Sequence, residues 1–442
     1  MKPQTRHPRP TAVQAPNMVA LVDQSLTVVT PDKWGRLHSI DVWRGIAALA
    51  VVAIHMPHEA PGGFREHPFY FLSLLMDYGY LGVPFFVVIS GFCIHRKSAL
   101  TRRQTGEYSL NWSQFWKRRF WRLYPTYLAA ILFSLICATW LHQFGVKSKG
   151  TFSWDLITHL LMIHNLTDEY ATGLRNGVFW SLGMEEQLYG LYFFLFVLMS
   201  RFSNRTALFV ACAVTVLWRI LVSFSLENTV DVGTFKLGTW YQWPFQFWLH
   251  WTLGAIAVDG SLGNMKMPRW SRSLWAAMAL LLVGVLTNRI MLDFFLRTEP
   301  GSRILAWVDV DAPGTRLFGF LSELLFAVAF FCLINWGLKK EVCGRWSTWA
   351  NRLFAPVGKM SYSLYLVHVP ILYVLHTHFP FDSTPSGWVK RAIVYLPVVM
   401  VGSGVFFWGV ERWFLGASSS RKTGPQSSVP PPMLISVDGG PQ

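Results

Sequence analysis

An all-α integral membrane protein, a bundle of about ten transmembrane helices with both termini cytoplasmic, is the fold this sequence predicts. Three observations carry the prediction. Only 14% of its residues are charged and 52% are hydrophobic, whereas soluble domains are roughly a quarter charged. Apolar runs long enough to cross a bilayer recur from residue 38 to residue 413. Lys and Arg outside those runs gather on one face, which an internal N-terminus makes the cytoplasmic one. The net charge of +15 is then a loop bias, and no nucleic-acid partner is expected. The 22 Trp and 34 Phe suit interfacial belts and lipid-facing positions.

The chain opens with a Pro-, Gln- and Thr-containing stretch, residues 1–36, read as a disordered cytoplasmic tail. The membrane domain follows over 37–413, with spans predicted near 38–57, 69–94, 122–142, 179–200, 206–225, 242–258, 273–292, 315–337, 359–378 and 391–413. A Ser-, Pro- and Gly-rich stretch, 414–442, reads as a second disordered cytoplasmic tail. The apolar part of segment 150–180, on the outer side, is too short to span and suggests an interfacial or re-entrant helix. No cleavable signal peptide is evident, so the first helix is expected to stay. The cysteines, mostly within apolar runs, read as small core residues and not as disulfides or ligands. No internal repeat supports an inverted-repeat transporter.

Polar residues inside the spans mark the candidate chemistry, because ionisable groups at membrane depth cost several kcal/mol unless they are paired or face water. The first span, LHSIDVWRGIAALAVVAIHMPH, carries Asp41, Arg44 and His55. Arg44 and His55 are about three turns apart, within roughly 20° on one face and about 16 Å along the axis, and Asp41 lies within roughly 50° of that face. The plain alternative makes Asp41 and Arg44 interface anchors and His55 an outer cap. KRRFWRLYP, entering the third span, places Arg119 and Arg122 on one helix face, where they can grip a phosphate together or serve as a positive flank for anionic lipid. FWSLGMEEQLYGLYFF sets Glu185 and Glu186 early in a span that starts outside. One of them can face the cavity of His55, or both can sit on the helix dipole. Ser90-Gly91 in the second span allows close helix packing or close approach of a ligand. His368, two residues before Pro370 in GKMSYSLYLVHVPI, reads as an interhelical contact or a catalyst. No heme, zinc or P-loop pattern occurs, and no metal site is expected.

Together these five stretches resemble the type-three acyltransferase family, integral-membrane enzymes that acylate cell-surface polysaccharides, peptidoglycan and small secreted glycosides. The family's Arg-x10-His pattern falls on Arg44 and His55, and its SGF element on Ser90, Gly91 and Phe92. Its Arg-x-x-Arg before Tyr-Pro falls on Arg119 and Arg122 before Tyr124-Pro125. Its WSLxxEEQxY element runs from Trp180 to Tyr189, and its SYSLYLxHxP element from Ser361 to Pro370. Two departures stand out: Ile40-Asp41-Val42-Trp43 replaces the usual Leu-Asp-Gly-Leu, and Val367 and Val369 flank His368 where a Trp is common. No esterase-like domain is expected after the last span.

The resemblance implies a membrane O-acyltransferase that moves an acyl group, acetyl first of all, from cytosolic acyl-CoA to a hydroxyl of an extracytoplasmic saccharide or glycoconjugate. Acyl-CoA would be a co-substrate, with no permanently bound cofactor. Arg119 and Arg122, with Ser90 and Arg44, would bind the donor, and His55 would be the general base with Arg44 in support. Glu185, favoured over Glu186 by the family's usage, would orient His55. Asp41, Glu186, Trp180, Ser181 and His368 would be supporting residues. The partners implied are the donor, the saccharide acceptor, the lipid bilayer and polysaccharide-assembly proteins, in a bacterial inner membrane. The rival reading is a non-enzymatic flippase or carrier for a lipid-linked saccharide.

Overall fold

The computed structural model describes residues 36–56, 76–141, 151–225, 239–288, 313–382 and 384–417. The two predicted tails, residues 1–36 and 414–442, lie almost wholly outside the described residues. The described residues form helices and turns with no strand.

The helices run α1 (His38–His55), α2 (Gly82–Thr105, entered through a 3-10 turn at Tyr78–Leu81), α3 (Trp112–Trp140), α4 (Phe152–Leu160), α5 (Trp180–Arg201) and α6 (Asn204–Ser225). They continue with α7 (Pro244–Ser261), α8 (Leu274–Thr287), α9 (Pro313–Val342), α10 (Thr348–Lys359), α11 (Ser361–His378), α12 (Pro385–Phe406), a π-turn at Phe407–Glu411 and α13 (Arg412–Ala417). Each predicted span overlaps one of these helices, with residues 57, 69–75, 142 and 289–292 of the predicted spans outside the described residues. Among the described residues, five stretches are long and apolar enough to cross a membrane: Tyr78–Thr105, Trp112–Trp140, Asn204–Phe224, Leu317–Val342 and Val389–Leu415. The predicted spans on α1, α5, α7, α8 and α11 are not among these five.

Local chemistry sets the ends. Asn111 caps α3, its side chain accepting from the Gln114 amide at 2.9 Å, so α3 begins ten residues before the predicted span. The basic run Lys117–Arg122 is therefore helical and continuous with the apolar part. Pro244 opens α7, where a missing N–H costs nothing. Ser347 and Ser273 cap α10 and α8.

α7 is the axis of the packing, with nearly every residue from Gln246 to Gly260 buried. Its Gly254 faces the Val88 carbonyl of α2, while Gly91 of α2 faces the Trp251 carbonyl of α7. A side chain at either position would meet backbone, so these two glycines set how closely α2 and α7 cross. Ser90 is thereby left facing away from α7, toward a cleft. The main core joins α2, α5, α7 and α9 through Phe92, Leu188, Tyr192, Trp251 and Phe326.

The segment 150–180 contributes the short α4 and a 3-10 turn at His164–Leu166, folded as a cap. Met162, Leu174 and Arg175 take left-handed backbone conformations there, with φ of 53°, 47° and 56°. The Asp155 carboxylate anchors the turn by accepting from the Leu174 amide at 3.0 Å. All five cysteines are free thiols; Cys137 and Cys332 are core residues as expected, whereas Cys93 and Cys343 are exposed. Cys93 lies one turn past Ile89 on the α2 face that turns from the core toward the cleft.

Candidate active site

A cleft of about 830 Å³, counting its open mouth, lies between α1, α2, α3, α5 and α11. Arg44 of α1 and Arg119 and Arg122 of α3 line it. The one-turn spacing on α3 puts both of its arginines on the wall that Arg44 faces. None of the three forms an ion pair within 4 Å among the described residues. Arg119 also leaves its Nε buried without a partner, with its guanidinium 6.0 Å from the ring centroids of Phe115 and Tyr189. Clustered guanidiniums outside ion-pair distance of a carboxylate have the charge and donor groups to hold a polyanion.

Across the cleft, Glu185 Oε1 accepts from Ser90 Oγ at 2.6 Å and from Tyr189 OH at 2.6 Å. One turn earlier on α5, Ser181 shares a hydrogen bond of 2.6 Å with Tyr365 OH. Phe86 and Tyr365 meet edge to face, with ring centroids 6.1 Å apart, and both line the cleft.

Beyond Tyr365 lies a pair of histidines. Fully buried His368 sets its Nδ1 at 2.8 Å from the Tyr365 carbonyl and 3.0 Å from the Leu364 carbonyl. Both partners are acceptors, so Nδ1 carries the proton and Nε2 the lone pair. That Nε2 stands 3.3 Å from His55 Nδ1, which also lies 2.8 Å from the Val51 carbonyl. Two acceptors again face one ring nitrogen, so the hydrogen-bond pattern assigns the His55 proton to Nδ1 and the lone pair to Nε2. His55 itself is exposed at the end of α1. An imidazole held in this tautomer can act as a general base through Nε2.

The structure thus brings Arg44, Arg119, Arg122, Ser90, Ser181 and Glu185 to one cleft, while His55 and His368 stand outside its lining, with His368 6.0 Å from the ring of Tyr365. It does not join Glu185 to His55. Glu185 hydrogen-bonds to Ser90 and to Tyr189 of its own helix, and His368 is the side chain found 3.3 Å from His55 Nδ1. Asp41 pairs with Arg36 at 2.7 Å and does not line the cleft, which fits the interface-anchor alternative. Trp180 packs 6.2 Å from Phe247 of α7, and Glu186 stands outside the cleft lining.

Three participants escaped the sequence reading. Tyr365 precedes His368 by one turn, a spacing that could have flagged it. Tyr189 shares the α5 face of Glu185. Glu411, in the π-turn, accepts from the Ser363 amide at 3.0 Å and from Ser363 Oγ at 2.5 Å, and it lies within electrostatic reach of Arg122 and Arg44. A carboxylate within an apolar run was the available signal for Glu411.

Known proteins point the same way. The model of the type-three acyltransferase family, described as an acyltransferase domain, matches residues 37–408. A Caenorhabditis elegans protein named regulator of hypoxia-inducible factor 1 is 22% identical over 424 residues, covering 86% of this chain and 78% of that protein. Peptidoglycan O-acetyltransferase OatA of Listeria monocytogenes is 32% identical over 158 residues, 34% of this chain and 22% of that protein. No solved structure matches the chain. With a family match over most of its length and a helical bundle rich in apolar helices, the chain belongs to the type-three acyltransferase family and is a membrane acyltransferase.

Proposed function

We propose that this enzyme moves an acyl group, acetyl first of all, from cytosolic acyl-CoA to a hydroxyl of an extracytoplasmic saccharide or glycoconjugate. The acyltransferase unit is residues 37–413, arranged as ten spans with both termini cytoplasmic, in a bacterial inner membrane. The observation that carries the reading is the convergence of Arg44, Arg119 and Arg122, without ion pairs, on one cleft. Such a cluster suits the phosphates of a nucleotide-bearing donor. The OatA relative, named for peptidoglycan O-acetylation, supports the acetyl group and the saccharide acceptor.

In this mechanism the arginines hold the phosphates, and the pantetheine arm runs past Ser90 and Glu185 toward Tyr365. The helical rise between Arg44 and His55, about 16 Å, matches the scale of that arm. His55 Nε2 takes the proton of the acceptor hydroxyl as its oxygen attacks the thioester carbonyl. The C–S bond then breaks, and the thiolate leaves as CoA after taking up the proton. His368 keeps the His55 proton on Nδ1 throughout.

Purified protein in nanodiscs with acetyl-labelled acetyl-CoA tests this, with CoA release measured with and without a cell-surface saccharide extract. Release that needs the extract, together with label on the saccharide, is expected. An Arg119→Ala/Arg122→Ala variant should raise the KM for acetyl-CoA about a hundredfold, at 1–2 kcal/mol or so for each charge-assisted contact. Saccharide movement without acyl-CoA, unchanged in that variant, would establish a carrier instead.

A further inference from the structure

A second cluster of polar and aromatic side chains lies away from the arginine cleft. Arg219 of α6, fully buried, pairs with Glu323 of α9 at 3.3 Å and donates to the carbonyls of Phe320 and Gln246. Its Nε has no partner, nor does the buried Gln246 Oε1. Glu323 keeps 30% of its side-chain surface open. Beside this pair the indoles of Trp218, Trp240 and Trp243 stack nearly parallel, with centroids 5.1–6.1 Å apart and interplanar angles of 18–24°. The platform is fixed from below: Trp218 Nε1 donates to the Trp240 carbonyl at 3.0 Å, and Asn165 Nδ2 donates to the Gln242 carbonyl at 3.0 Å. Trp240 remains 40% exposed.

A tryptophan of an interfacial belt needs neither stacked neighbours nor an ion pair beside it. Flat indole faces next to a carboxylate, a guanidinium and side-chain amides are instead the chemistry that a hexose ring requires. Its C–H face is apolar and lies on an aromatic plane, while its hydroxyl rim donates to and accepts from fixed polar groups. Position agrees. Tyr80, which accepts from Asn288 at 3.0 Å, lies within electrostatic reach of Glu323 and Arg219. Its own turn, Tyr78–Leu81, packs on α1 near Ile54, next to His55. A chain of polar and aromatic groups therefore connects the indole platform to the His55 end of the bundle.

We propose that this platform is a saccharide-binding subsite, with Trp240 and Trp243 stacking on a hexose of the acceptor while Glu323 engages its hydroxyls. The proposal rests on the acyl-transfer reading for its purpose, but its test does not depend on turnover. Saturation-transfer-difference NMR on the full chain in phosphatidylcholine nanodiscs, with chitotetraose, cellotetraose and maltotetraose as probes, reads which sugar protons face the protein. A saturable signal on the ring C–H protons of at least one probe is expected. Trp240→Ala should weaken it about tenfold, and Trp240→Phe, which keeps a stacking face, should restore most of it. Comparable melting temperatures of the two variants would exclude unfolding as the cause. No saturable signal with any probe, or equal binding by Trp240→Ala, would overturn the proposal. So would quenching of these indoles by brominated lipid that no sugar relieves, which would make them a lipid belt. Sugar binding without acetyl-CoA-dependent CoA release would leave the subsite standing and defeat the proposed transfer from acetyl-CoA to a saccharide.

Discussion

Two histidine pairs occupy this molecule, and their differences separate chemistry from architecture. His55 and His368 meet at 67° with ring centroids 5.0 Å apart, one ring exposed and the other sealed. Two backbone carbonyls fix the inner ring, which presents a lone pair to the outer one. His159 and His164 stack at 3.8 Å and 10°, and both are fully buried. His159 Nδ1 lies 2.8 Å from the Asp155 carbonyl and 3.0 Å from the Asp155 carboxylate, and backbone groups of Phe179 and Thr158 are the neighbours of the His164 ring nitrogens. An exposed, oriented imidazole can exchange a proton with a substrate; a sealed stack paired with Asp155 holds the cap formed by residues 151–180. The same residue type at similar apolar positions therefore reads differently once the neighbours are in place.

The sharpest way to break the comparison is to remove one ring from each pair. His55→Ala should lower kcat by about a hundredfold to ten-thousandfold, the span of general-base catalysis, while a binding assay shows acetyl-CoA affinity kept. Turnover near that of the wild type would end the general-base role. His368→Ala should cost less, about a hundredfold at the low end of that range, and should shift the pH–rate profile because the His55 tautomer is no longer set. His368→Asn should recover part of the loss if its amide supplies an acceptor to His55 Nδ1; equal losses for both variants would reduce His368 to packing.

On the sealed side, Asp155→Ala strips the Leu174 amide of its acceptor. It should destabilise the fold by about 1–3 kcal/mol, seen as a lower melting temperature with the rate per folded molecule intact. A lost rate with an unchanged melting temperature would instead assign this cap to the chemistry. An effect of similar size is expected from pH. Burial, and then the neighbouring His159, push His164 down to about 3, against about 6.5 in an unfolded chain. Its contribution to stability is thus complete above about pH 6.5 and is lost at about 1.4 kcal/mol per unit as pH falls from there toward 3. His164→Gln should flatten the fall in melting temperature between pH 7 and pH 5; an equally steep fall would place the titration elsewhere.

The sequence by itself determined the helical membrane class and the approximate places of the helices. Hydrophobic transfer favours burying any long apolar run, and a helix satisfies its own backbone, so both follow from composition and length. It also flagged Arg44, His55, Ser90, Arg119, Arg122, Glu185 and His368, because polar groups at apolar depth stand out against their surroundings. Helical spacing on α3 was enough to put Arg119 and Arg122 on one face. Only the tertiary structure decided which of these residues meet. Glu185 could have turned to His55 or away from it, and the crossing of α2 against α7 at Gly91 and Gly254 sets Ser90 before it instead. The partner of His55 came from a helix more than three hundred residues away, and Glu411, Tyr365 and the indole platform likewise depend on pairings between distant helices. Spacing along one helix fixes angles about its own axis alone; the rotation and depth of each helix against its neighbours come from packing all of them at once.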